Sequence, residues 1–113
     1  MVVYGIPNCD TVRKARRWLD SHGVAFTFHD LRKDGLDAAT LARWVEALGW
    51  EALLNRRGTT WRQLPQAHRD ALDADSAFAL MLEQPAIIKR PVIEQSGAVS
   101  VGFSETDFAA RFP

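Results

Sequence analysis

The sequence predicts an α/β domain. A βαβ unit at the N-terminus and a ββα unit at the C-terminus share one four-stranded mixed sheet, and a helical insertion separates them. Three observations carry this prediction. An apolar run, an amphipathic helical stretch and an alternating run follow one another within about the first thirty residues. Residues 37–84 show helical spacing without a strand pattern, and "PVIEQSGAVSVGF" reads as two short strands around a Ser-Gly turn.

The elements follow in order. "VVYG" at residues 2–5 is a short apolar run closed by Gly5 and Pro7, as expected for a buried strand. From Cys9 to His22, the residues Val12, Ala15, Trp18, Leu19 and His22 repeat at three-and-four spacing, opposite a face of Arg13, Lys14, Arg16, Arg17 and Asp20, and Gly23 stops the helix. "VAFTFHD" alternates, with Val24, Phe26 and Phe28 on one side. This completes a βαβ unit, whose crossover is right-handed in nearly all proteins. The next helix has Asp37 as N-cap, Leu41, Trp44, Val45 and Leu48 as its apolar stripe, and Gly49 as its stop. "WEALLN" is a short helical turn, "RRGTTWRQL" a polar segment, and "PQAHRDAL" a helix beginning at Pro65. A further helix is expected to be capped near Asp75 or Ser76 and to end before Pro85. After the hairpin, Ser104 with Asp107 three residues later resembles a capping box, ahead of a last helix with Phe108 and Phe112 on its apolar stripe. With no linker or repeat, residues 1–113 are expected to form one domain with its insertion at about 37–84. This β-α-β, helical block, β-β-α order is that of a thioredoxin-like fold with a helical insertion.

Composition narrows the function classes. Fourteen Lys plus Arg balance fourteen Asp plus Glu, so no bulk attraction to nucleic acid or an anionic membrane is expected. Apolar runs such as "FALML" fall far short of a membrane span, and no signal-type core follows Met1, so a cytoplasmic protein is expected. The single cysteine rules out an internal disulfide. His22, His29 and His68 lack the spacing of a metal site, and none is expected.

Cys9 is therefore the residue to explain. A free cysteine is among the most buried residue types and can simply fill a core. At the start of a helix it instead meets unpaired N–H groups and the positive end of the helix dipole, which favour the thiolate. The polar flanks Gly5, Pro7, Asn8 and Asp10 fit the second reading better. Val12 stands where a C-x-x-C dithiol would need its second cysteine, and Ala15 where a C-x5-R phosphatase loop would need arginine. His29, at a strand end, could approach Cys9. A thiol acting on anions also needs cations, and two clusters offer them: Arg56, Arg57 and Arg62 in "NRRGTTWR", and Lys89 and Arg90 before Pro91. Either could equally be solvated surface. The Arg90–Pro91 bond is a candidate cis peptide.

"YGIPNCDTVRKARRWL", "LNRRGTTWR", "IKRPVI" and "VGFSE" together resemble the arsenate reductase-like (ArsC) family, in its Spx/YffB-like branch. The resemblance implies a thioredoxin-like core and a catalytic cysteine at Cys9. It implies anion-binding arginines at Arg90 and at Arg57, with Arg56 an alternative one residue away, and a proline facing the thiol at Pro91. Arsenate reductases of this family carry a third arginine near the position of Gly102 and Phe103, which this chain lacks; Spx-type regulators commonly carry a C-x-x-C switch, which Val12 removes. The resemblance therefore implies a YffB-like, glutathione-dependent thiol reductase, with glutathione as co-substrate and no tightly bound cofactor. Cys9 would form the covalent adduct, Arg57 and Arg90 would hold a carboxylate or oxyanion, and Asn8, Thr11 and the N–H groups after Cys9 would steady the thiolate. A glutaredoxin-coupled arsenate reductase is one alternative. A non-catalytic, Spx-like protein-binding regulator, anchored through Trp50 or Trp61, is another. A monomer is expected.

Overall fold

In the computed structural model, which describes residues 1–113, strand β1 (Val2–Gly5) leads into helix α1 (Asp10–Ser21), and strand β2 (Thr27–Asp30) follows. Helices α2 (Ala38–Leu48), α3 (Trp50–Leu53), α4 (Thr59–Arg62), α5 (Gln66–Asp70) and α6 (Ala74–Glu83) come next, then a 3-10 turn at Pro85–Ile87. Strands β3 (Val92–Gln95) and β4 (Ala98–Val101) and helix α7 (Glu105–Arg111) close the chain. These elements form two compact units, one of residues 1–35 and 90–113, the other of residues 36–89.

The first unit holds the four-stranded sheet, in order β2-β1-β3-β4. β1 pairs parallel to β2 and antiparallel to β3, and β3 pairs antiparallel to β4. Ser96 and Gly97 make the hairpin turn, with φ of 50° and 83°. Two consecutive positive φ values match the right-handed twist of the flanking strands, and glycine takes the second without a steric cost. On one side, Val3, Ala15, Leu19, Ile93, Phe108 and Phe112 form a buried cluster, which Trp18, Val24, Phe26, Phe28 and Phe103 extend.

Several details differ from the sequence-based expectation. Val24, Phe26 and Phe28 share one packed side as expected, but β2 begins only at Thr27. Its parallel partner begins at Val2, so residues before Thr27 have no strand to pair with. His22 is exposed and stacks on Trp18, with ring centroids 3.8 Å apart, so the buried stripe of α1 is Val12, Ala15 and Leu19. The N-cap of α6 is Asp73: its carboxylate accepts the Ser76 N–H at 2.9 Å while the Ser76 hydroxyl accepts the Asp73 N–H at 2.9 Å. That reciprocal box satisfies two orphan donors at once, which a cap at Asp75 would not.

In the second unit, Asp37 caps α2 by accepting the Thr40 N–H at 2.7 Å, and α2, α3 and α6 pack on one another. Leu41, Trp44, Leu53, Leu54, Ala77, Met81, Ile87 and Ile88 are its buried apolar residues. The Asn55 N–H donates to the Ile87 carbonyl at 2.8 Å, and the Lys89 N–H to the Leu53 carbonyl at 2.7 Å. The polar stretch after Asn55 contains a single helical turn, α4, that its sequence did not announce.

Candidate active site

The antiparallel pairing of β1 with β3 places the end of one strand beside the start of the other. Tyr4 is opposite Val92, so the chain leaving β1 towards Cys9 runs past Arg90 and Pro91, which precede β3. A tight turn follows β1, in which the Cys9 N–H donates to the Ile6 carbonyl at 3.1 Å. Cys9 is the N-cap of α1, with φ −85° and ψ 128°, and its carbonyl accepts the Arg13 N–H at 2.9 Å. It therefore sits one position before the first helical turn, where the unpaired N–H groups converge.

Cys9 is half-buried. Partial burial is the largest single influence on its thiol and pushes the pKa up. The Val12 N–H, the Arg90 guanidinium through a hydrogen bond and through its charge, and the Thr11 N–H all pull it down. Together they outweigh burial, and the thiol titrates below its ordinary value. Cys9 makes no capping hydrogen bond of ordinary geometry as a side chain, so these donors act as a preset environment for negative charge. Asp10, the adjacent carboxylate, is engaged by Arg13. The N–H groups face the thiol because Thr11 and Val12 are the second and third residues of the helix that Cys9 caps, and α1 also enters close over β1: a Cβ built on Gly5 would lie 2.8 Å from one Val12 methyl and 3.0 Å from the other. Only a glycine allows the first turn of the helix this approach.

The sequence-predicted residues divide accordingly. Cys9, Thr11 and Arg90 come together, with Thr11 acting through its backbone while its side chain is exposed. The Arg90–Pro91 peptide is cis, and Pro91 is buried, its carbonyl accepting the Gly102 N–H at 2.9 Å. Asn8 is exposed on the turn, and the donors that act on the thiol come from after Cys9. Arg57 and Arg56 are both exposed in the helical unit. The Arg57 N–H donates to Asn55 Oδ1 at 3.2 Å, while the Arg56 guanidinium lies 5.7 Å from the centre of the Trp61 ring. His29 is held on the Gly35 carbonyl at 2.7 Å and against the Tyr4 ring, so its ring serves the loop after β2. The N–H groups expected after Cys9 resolve into those of Val12, the stronger, and Thr11. Val12 leads because it is the N3 residue of the helix that Cys9 caps.

The class defined here is a thioredoxin-like α/β domain with one cysteine at a helix N-cap and an arginine beside it. The chain belongs to the ArsC family, which it matches over residues 4–111. The solved YFFB protein is 49% identical with a TM-score of 0.93, over 99% of this chain and 98% of that one. An arsenate reductase (ArsC) related protein from Brucella melitensis is 53% identical with a TM-score of 0.83, over 98% of this chain and 92% of that one. The global transcriptional regulator Spx of Streptococcus agalactiae is 30% identical over 109 residues, which span 95% of this chain and 79% of that protein. No helix of the chain is long and apolar enough to cross a membrane.

Proposed function

We propose that this protein is a glutathione-dependent thiol reductase in which Cys9 is the nucleophile. The observation that carries the reading is the depressed thiol of Cys9, held by the Val12 and Thr11 N–H groups and by Arg90. An unperturbed thiol is only a few per cent ionised at neutral pH, so each of these groups raises the fraction able to attack.

In the first step the Cys9 thiolate attacks a glutathionyl mixed disulfide. A bond forms between Cys9 Sγ and the glutathionyl sulfur, the original sulfur–sulfur bond breaks, and the substrate leaves as a thiolate that takes a proton from water. In the second, a glutathione thiolate attacks the same glutathionyl sulfur, forming glutathione disulfide and returning Cys9 as thiolate. One glutathione is oxidised for each substrate thiol released, so electrons balance. Arg90, already on the thiol, stabilises Cys9 whenever it leaves as an anion. Pro91, next to Arg90 in the chain and buried, shapes the wall there. Arsenate is the less favoured substrate: Gly102 and Phe103 stand where a third arginine would be needed, and Phe103 packs edge-on against Phe108 at 4.6 Å. A dithiol switch is disfavoured by Val12, which is fully buried.

A coupled assay tests this directly. Glutathionylated peptide, glutathione, glutathione reductase and NADPH are mixed with the protein, and NADPH consumption is followed. Turnover is expected for the natural chain and none for Cys9→Ser. Turnover that survives Cys9→Ser, or turnover with arsenate and none with the mixed disulfide, would overturn the reading.

A further inference from the structure

We propose that the helical unit carries an oxyanion site of its own, formed by Arg56, Trp61 and Arg69, for a ligand of the phosphate class that retains a proton. Four observations lead to it. Between Ala52 and Arg69 the chain has Arg56, Arg57, Arg62 and Arg69 and no Asp or Glu, so this stretch is a local maximum of positive charge. Folding brings two of these arginines to one aromatic ring: the Arg56 guanidinium carbon is 5.7 Å, and that of Arg69 6.0 Å, from the Trp61 centroid. Neither guanidinium has a carboxylate within ion-pair distance. The Nε–H of Arg69 is shielded from solvent and has no acceptor.

An arginine that merely covers apolar surface keeps its head group in water. Arg69 is half-buried, and its Nε–H is shielded without an acceptor, where almost every such group finds a partner. The Trp61 ring face offsets part of the cost by cation–π attraction but accepts no conventional hydrogen bond. A bound anion would take the outer nitrogens of the two guanidinium groups and neutralise two like charges that share one ring. Space for one exists in an open cavity of about 460 Å³ lined by Arg56, Trp61, Gln66, Arg69 and Asp70.

The lining selects the ligand. Two guanidinium forks and the Gln66 amide supply more donors than a carboxylate's two oxygens use well, and suit a tetrahedral oxyanion. Asp70 lines the same cavity, and an ionised carboxylate can only accept. An oxygen turned towards it must bring its own proton, which hydrogen phosphate has and sulfate lacks. All parts of the site lie within the helical unit, so the proposal does not depend on Cys9 chemistry.

The test uses isotope-labelled full-length protein, with the Arg69 Nε–H and Trp61 indole N–H followed by NMR as inorganic phosphate is added at about pH 6. Saturable shifts are expected at both groups, with sulfate at least about tenfold weaker. Arg69→Gln and Arg69→Lys should each weaken phosphate binding by about tenfold or more, because lysine keeps the charge and loses the fork. Phenyl phosphate run in parallel identifies the source: tighter binding than inorganic phosphate assigns an esterified ligand, weaker binding the free ion. Shifts that do not saturate by about 50 mM phosphate, equal binding of sulfate, or undiminished binding by Arg69→Lys would each overturn the proposal. Should the variants not fold, the phosphate and sulfate titrations of the natural chain decide alone.

Discussion

Substituting Gly5 by alanine should disturb both the stability of the sheet unit and the acidity of Cys9. The new Cβ would lie 2.8 Å from Val12 Cγ2 and 3.0 Å from Cγ1. Carbon atoms rest comfortably at about 3.5 Å or more, so the first turn of α1 must retreat by about 0.7 Å or distort. Val12 is fully buried and cannot turn into solvent, and overpacking of this kind costs about 1–3 kcal/mol. Truncating Val12 instead removes two buried methyl groups, for about 2 kcal/mol including the cavity. In the double variant Gly5→Ala, Val12→Ala the added methyl occupies the space vacated by the other two. The combined cost should fall short of the sum of the single costs by about 1–2 kcal/mol, beyond the scatter of independent sites. Urea unfolding of the four proteins measures this coupling. Alkylation of Cys9 as a function of pH provides the second readout: the midpoint should rise in Gly5→Ala, where the Val12 N–H is displaced, and return towards the natural value in the double variant. Strict additivity together with an unmoved midpoint would refute the close approach of α1 to β1 as what keeps the first turn undistorted around the thiol.

Other outcomes follow from the same geometry. Arg90→Ala should raise the pH at which Cys9 becomes reactive, and Arg90→Lys should recover part of the shift through charge alone; identical alkylation profiles in all three proteins would remove Arg90 from the site. Because the folded thiol titrates below the unfolded value of roughly 8.5, its contribution to stability is complete above about pH 8.5 and is lost as pH falls through the folded pKa. The difference in unfolding free energy between the natural chain and Cys9→Ser should therefore shift in favour of the natural chain as pH rises through that window, and a pH-independent difference would contradict the depressed thiol. Phe108 is fully buried and meets Phe103, Phe112 and Trp18 edge-on or near it at 4.6, 5.5 and 5.4 Å, so Phe108→Ala should cost about 3–5 kcal/mol by urea unfolding.

Much of this architecture is local and so is written in the chain. The spacing of Val12, Ala15 and Leu19 gives α1 its buried stripe, Asp37 and Gly49 bound α2, and the Ser96–Gly97 pair sets the hairpin because few residues tolerate its backbone. The cysteine's placement at a helix start was legible for the same reason. Where local signals competed, the sequence pointed a little too far along the chain: Asp75 or Ser76 was the expected cap of α6, and the reciprocal bonds between Asp73 and Ser76 place it at Asp73. The polar run holding α4 carries no apolar periodicity, so nothing in it marks a helical turn.

What sequence alone determined is the order of elements, the identity of the nucleophile candidate and the residue types available to it. Tertiary structure decided which of those residues meet. Arg90 reaches Cys9 because β3 runs antiparallel to β1, a pairing between segments about ninety residues apart that no local pattern specifies. The close seat of the first turn of α1 on β1 is likewise tertiary, resting on the absence of a Cβ at Gly5 against the Val12 methyls. Arg56 and Arg69 are likewise thirteen residues apart and become neighbours only over the face of Trp61. Propensity and capping act over one or two turns of chain, but the field at a thiol or around a guanidinium sums groups from every segment within a few ångströms, and only the fold assembles that set.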